Sequence, residues 1–112
     1  MTEIVIASAA RTPVGSFSGS LAGYQAAQLG EIVIREALAR AGVPAADVSD
    51  VLMGHILSAG NGMNTARQAA LKAGLPIEST AMTINQVCGS GLRAVALGMQ
   101  SLLAGDSSGV VA

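Results

Sequence analysis

The chain has no tryptophan and only one tyrosine, one phenylalanine, one cysteine and one histidine among its 112 residues. Each shortage closes off a class of function. So few aromatics leave no platform on which nucleic-acid bases stack. Six Lys and Arg against seven Asp and Glu give a net charge of −1. No basic face meets a phosphate backbone, so nucleic-acid binding is not expected. One cysteine makes no internal disulfide, which points to a reducing compartment. His55 is flanked by apolar residues and has no Cys or acidic partner nearby, so no metal site is expected. It reads as a structural histidine within a strand. No uninterrupted apolar run approaches the roughly 18–20 residues of a membrane span, so no membrane partner is expected. The start, Met1-Thr2-Glu3, is acidic. The apolar stretch from Ile4 to Ala10 is short and meets Arg11, which makes a poor signal peptide. The cytoplasm is the expected location.

Charge is scarce too. Charged residues make up 12% of the chain against a hydrophobic fraction of 51%, and mean hydropathy is +0.55. The length suits one modest domain. A free-standing domain of that size needs a more polar surface. The balance therefore reads as part of a larger protein whose apolar faces meet segments outside these residues. Gly109-Val110-Val111-Ala112 reads as the first half of a buried strand, with no cap after it.

What is present is a regular alternation. Residues 3–9 are β-branched and nearly all apolar, as in a strand buried on both faces. A glycine-punctuated loop follows. Residues 25–41 predict a helix, with Ala26, Leu29, Val33, Ala37 and Ala41 on one stripe and Glu36–Arg40 as an i,i+4 pair. Gly42 and Pro44 end it. Residues 50–57 predict a second strand. Asn64 caps a helix running to about Ala73. Residues 80–87 predict a third strand and 89–104 a third helix, striped by Leu92, Val95, Ala96, Met99, Leu102 and Leu103. Val110-Val111 opens a fourth strand. The order β-α-β-α-β-α-β implies an α/β fold, with a mostly parallel sheet covered by helices on both faces.

Cys88 falls where the third strand turns into the third helix. Ligands of such sheets gather at the carboxyl ends of strands. Unpaired N–H groups at a helix N-terminus favour a thiolate and stabilise an oxyanion. Gly89 and Gly91 clear the approach and permit a strained turn. A free cysteine is also often a small buried hydrophobe. Residues 89–94, Gly-Ser-Gly-Leu-Arg-Ala, match G-x-G-x-x-A, which keeps an NAD(P)-binding oxidoreductase as an alternative. Against it, the motif follows the third strand, and Asp106 precedes the strand that an acidic partner should end. A non-catalytic fragment that only pairs with other chains is the third reading.

Asn85-Gln86-Val87-Cys88-Gly89-Ser90-Gly91-Leu92-Arg93-Ala94 closely resembles the nucleophile segment of thiolases, the acetyl-CoA acetyltransferases. Ala10-Arg11-Thr12-Pro13-Val14-Gly15, Val51-Leu52-Met53-Gly54 and Asn64-Thr65-Ala66-Arg67-Gln68-Ala69-Ala70 fit the same family in order, most like its biosynthetic branch. The resemblance covers the whole chain. It implies that residues 1–112 are the N-terminal part of a thiolase N-terminal domain, ending within the fourth strand of a layered fold. The loop domain and C-terminal domain lie outside.

The resemblance also implies a condensing enzyme. Cys88 is the nucleophile that becomes an acyl thioester, and its backbone N–H contributes to the oxyanion hole. Acetyl-CoA and other acyl-CoA thioesters are substrates, with no permanently bound cofactor. In the family a His, an Asn and a second Cys complete the machinery in later segments, and His55 does not match that His motif. No residue here is assigned to holding coenzyme A. The fragment alone is expected to be weakly acylated at best and not to turn over. A homo-oligomer, dimer or tetramer, is implied, with subunits pairing near the third strand. Asn85 and Gln86 either bond the opposite subunit or orient the Cys88 turn, the first being favoured. Arg11 and Arg67 read as solvated or ion-paired. Met82, Met99 and the other methionines read as core filler.

Overall fold

The computed structural model describes residues 3–112. Met1 and Thr2, read above as part of the acidic start, lie outside the described residues. α1 spans Ala26–Ala41, β1 Asp50–Gly54, α2 Thr65–Lys72, β2 Thr80–Ile84, α3 Ser90–Ala104 and β3 Val110–Val111. A short 3-10 turn, Ala45–Asp47, precedes β1. The strands make one parallel sheet in the order β2-β1-β3. This is the α/β architecture that the alternation predicts.

Side-chain alternation along β1 divides the core. Val51 and Met53 face α2, with Ile34 of α1 completing that layer around Ala69, Ala70 and Leu75. Leu52 faces α3 and packs with Ile84, Ala94, Leu97 and Val110. Both faces of the sheet are therefore covered. The helix ends follow their punctuation. Gly42 adopts φ 65° and closes α1, and Val43 N donates to Leu38 O at 3.1 Å. Asn64 Oδ1 accepts from Arg67 N at 3.1 Å and caps α2.

Several expectations are corrected. Residues 3–9 form no strand; Val5 and Ile6 are 69% and 79% exposed. An apolar, β-branched run favours an extended chain but does not supply a ladder partner. Ser8 Oγ instead donates to Ala37 O at 2.6 Å, and Arg40 donates to Ala9 O at 2.9 Å, so the segment is tied to α1. The strands predicted over 50–57 and 80–87 stop early, at Gly54 and Ile84. His55 N still donates to Ile84 O at 2.9 Å, after which the ladder gives way to turns.

The stripes of α1 and α3 do not mark their buried faces. α1 buries Ala27, Gly30 and Ile34, one position on from Ala26, Leu29 and Val33. α3 buries Ser90, Ala94 and Gly98, whereas Leu92, Val95, Met99 and Leu103 are exposed. A Cβ on Gly98 would lie 3.0 Å from Val110 Cγ1, so helix and sheet approach through small residues. Met63, Met82 and Met99 are exposed rather than core, and among the described methionines only Met53 packs against the buried cluster.

The stretch Val87–Ala104 has a mean hydropathy of 1.3 over 18 residues. Its helix has 15 residues. That is about 22 Å of rise, short of the roughly 30 Å of a bilayer core.

Arg67 is half-buried and, among the described residues, is bonded to backbone carbonyls and makes no ion pair. Its guanidinium donates to Ser79 O at 2.6 Å and Ile77 O at 2.8 Å, fastening the loop before β2 onto α2. Hydrogen bonds from a charged donor contribute more than neutral ones, and their loss strands the carbonyls. Arg67→Ala is expected to cost about 1.5–3 kcal/mol, read as a lower urea midpoint. An unchanged midpoint would show that water replaces the guanidinium. Arg11 is exposed, as expected.

Candidate active site

Cys88 lies on the connection from β2 to α3 and is exposed. Because β2 ends at Ile84, the connection runs from Asn85 to Gly89. Its conformation turns on Val87, which adopts φ 51°. A β-branched residue is disfavoured in the left-handed region, at a cost of about 1–3 kcal/mol. Val87 is 61% exposed, so burial of its own side chain offsets little of that.

Hydrogen bonds hold it instead. Val87 N donates to Asn85 Oδ1 at 2.9 Å. Ser90 Oγ donates to Val87 O at 2.7 Å and accepts from Gln86 N at 2.8 Å. Gly89 N also donates to Gln86 O at 3.0 Å, and Ser90 N to Val87 O at 3.2 Å. Both polar groups of the Val87 backbone are thus engaged. Ser90 is 4% exposed, so its hydroxyl works away from water. Among the described residues, the backbone N–H of Cys88 makes no hydrogen bond to the protein, and neither does its Sγ. The thiol and an unused N–H are left together at the head of α3.

The neighbouring chain pins the turn to the sheet. Asn85 Nδ2 donates to Ile56 O at 3.2 Å, joining the segment after β1 to the segment after β2. Gly54, the last residue of β1, meets the first residues of α3 at backbone distance. A Cβ there would lie 2.8 Å from Ser90 Cβ and 3.1 Å from Gly91 N. Glycine is needed at position 54 for this approach, not for its dihedral freedom. The turn therefore sits at the carboxyl ends of β1 and β2, where ligands of such sheets gather.

His55 is one residue past β1 rather than within it, with Nδ1 2.8 Å from Thr65 Oγ1. Within one subunit, Asn85 makes the bonds that orient the Cys88 turn. Gln86 contributes its backbone to the turn and is exposed. Ser90 is the side chain of the turn that the sequence alone did not single out. Its signal was a serine opening a helix, where a short hydroxyl bonds nearby backbone. A concavity of about 760 Å³ lies at the opposite end of the sheet, beside Asp47, Ser49, Glu78 and Ser108. A smaller one of about 240 Å³ lies between Arg11, Tyr24 and Glu36. Neither includes Cys88.

Residues 4–112 match the family described as thiolase, N-terminal domain. The chain belongs to the thiolase family. An acetyl-CoA acetyltransferase of Cupriavidus necator is 60% identical over 112 residues, covering 100% of this chain and 28% of that protein. One from Rhizobium meliloti is 59% identical over 110 residues, 98% of this chain and 28% of that protein. A probable acetyl-CoA acetyltransferase of Escherichia coli is 48% identical over 112 residues, 100% of this chain and 28% of that protein. The chain thus spans about 28% of the length of these relatives. The thiolase match runs through every element of the site, from β1 through the Cys88 turn to α3.

Proposed function

We propose that Cys88 is the nucleophile of an acyltransferase that condenses two molecules of acetyl-CoA into acetoacetyl-CoA, and runs the reverse thiolysis. The observation that carries this is the placement of Cys88: an exposed thiol at the head of α3, on a strained turn held by Asn85 and Ser90. The names of the relatives support the substrate class.

In the first half-reaction the Cys88 sulfur attacks the acetyl carbonyl. The Sγ–C bond forms, the bond from carbon to coenzyme A sulfur breaks, and the cysteine proton ends on the departing thiol. The oxyanion that forms in between meets the free N–H of Cys88. In the second, the methyl group of another acetyl-CoA loses a proton and its carbon attacks the acyl-enzyme. The new C–C bond forms, the Sγ–C bond breaks, and Cys88 regains a proton. The acid–base groups for these transfers belong to residues outside 1–112, which form the N-terminal part of the thiolase N-terminal domain. With the base missing, the chain alone acylates slowly and does not turn over. The substrates are coenzyme A thioesters and no permanently bound cofactor is needed. A reducing cytoplasm suits the free thiol. β2 is an edge strand with Met82 49% exposed, and we place the pairing of like subunits along it.

Intact mass after incubation with acetyl-CoA tests this, using the chain together with the downstream residues that the reading requires. One acetyl group is expected on the wild type and none on Cys88→Ala. An unmodified wild type, or an adduct that survives in Cys88→Ala, overturns it. Fluorescence titration with NADH checks the glycine motif at 89–94, and no binding is expected.

A further inference from the structure

The turn holds more chemistry than the nucleophile. Val87 is strained, exposed and β-branched, yet its backbone N–H and C=O are each captured by a side chain. Asn85 takes the N–H at 2.9 Å and Ser90 takes the C=O at 2.7 Å. Each of these side chains has a second anchor. Asn85 reaches Ile56 O at 3.2 Å, and Ser90 receives Gln86 N at 2.8 Å. A conformation that costs energy persists only where its surroundings over-determine it. Here the surroundings are two side chains that flank Cys88 without touching its sulfur.

We infer that Asn85 and Ser90 are positioning residues: they hold Val87 in the left-handed region and so aim the next residue, Cys88, at the incoming acyl carbonyl. The inference deepens the acyltransferase reading and rests on it for the identity of the acyl donor. Nucleophilic attack depends on near-attack geometry, and a misplacement of about 1 Å costs on the order of a hundredfold in rate. Alkylation by iodoacetamide needs only an accessible thiol. The two reactions separate aim from exposure.

The test uses the same polypeptide as above, with Asn85→Ala, Ser90→Ala and the double variant Ser90→Ala/Val87→Gly. Asn85 is exposed, so its variant keeps the core intact. Acetyl transfer from acetyl-CoA is expected to fall about 10- to 100-fold in both single variants. Iodoacetamide alkylation is expected to change by less than about threefold, because the thiol remains open. Glycine enters the left-handed region freely, so Val87→Gly is expected to recover part of the transfer rate lost in Ser90→Ala. Amide exchange at Val87 and Gln86 is expected to quicken in Asn85→Ala and Ser90→Ala respectively. Transfer rates equal to wild type, or a loss that tracks the urea midpoint and is not recovered by Val87→Gly, overturn the inference. If the wild type takes up no acetyl group, the acyltransferase reading fails separately. Amide exchange then decides whether the clamp exists, and unchanged exchange in both variants removes it.

Discussion

Gly54→Ala is expected to destabilise the protein by about 1–3 kcal/mol, the range for forcing a methyl into a filled site, and to slow acetyl uptake by Cys88 at least tenfold. The new Cβ would lie 2.8 Å from Ser90 Cβ, 3.1 Å from Ser90 C and 3.1 Å from Gly91 N. Most of what it meets is backbone, which no rotamer change can move aside. β1 is the central strand and is held on both edges, so the head of α3 must give way. Ser90 is the first residue of that helix and also the clamp on Val87. A shift that relieves the clash therefore also disturbs the turn carrying Cys88. Gly91→Ala is the matching control for stability. Its Cβ meets nothing within 4 Å, and an alanine replacing glycine in a helix gains about 0.5–1 kcal/mol. Urea midpoints and a time course of intact mass check both. Gly54→Ala with wild-type values on both would mean that α3 has slack at this contact.

Much of this arrangement was legible in the residues, and the parts that were not have separate physical causes. Helix ends were read well because their signals are local. Asn64 bonds the backbone of its own first turn, and Gly42 and Gly105 adopt φ of 65° and 80° at the C-termini. The position of Cys88 between β2 and α3 was legible for the same reason. Strand extents were overread because apolarity continues past the ladder. Ile56 and Leu57 are as apolar as Val51 and Leu52, but no strand lies beside them. The segment 3–9 failed in the same way. The buried face of α3 was misread because periodicity weighs large side chains, whereas close packing on a sheet selects small ones. The true face, Ser90, Ala94 and Gly98, recurs every four residues and stands in the sequence as plainly as the leucines do. The clamp was hidden because it depends on the positive φ of Val87. Valine is among the last residues expected there, so nothing nearby announces that its backbone needs holding.

Leu52→Ala is expected to cost about 3–5 kcal/mol, the upper part of the range for a buried leucine. Leu52 is 1% exposed and is the large side chain that β1 directs at α3. The cost of a truncation depends on whether neighbours close the gap. Here the helix offers Ala94 and Gly98 in that layer, with Gly98 already 3.0 Å from Val110 by the position of its missing Cβ. Ala94 and Gly98 have no side chain long enough to lean inward, and Ile84, Leu97 and Val110 close only part of the gap. Folded proteins hold about 5–15 kcal/mol in total, so the change is a large share of such a margin. The urea midpoint should fall with the slope unchanged, because the same surface is exposed on unfolding. Leu92→Ala makes the same chemical change two residues into the same site's helix, where the side chain is 80% exposed. Its expected effect is within about 0.5 kcal/mol. If α3 were seated on its row of large residues the ranking would reverse, and Leu92 would be the costly one. The two leucines therefore decide which face of α3 carries the Cys88 turn onto the sheet.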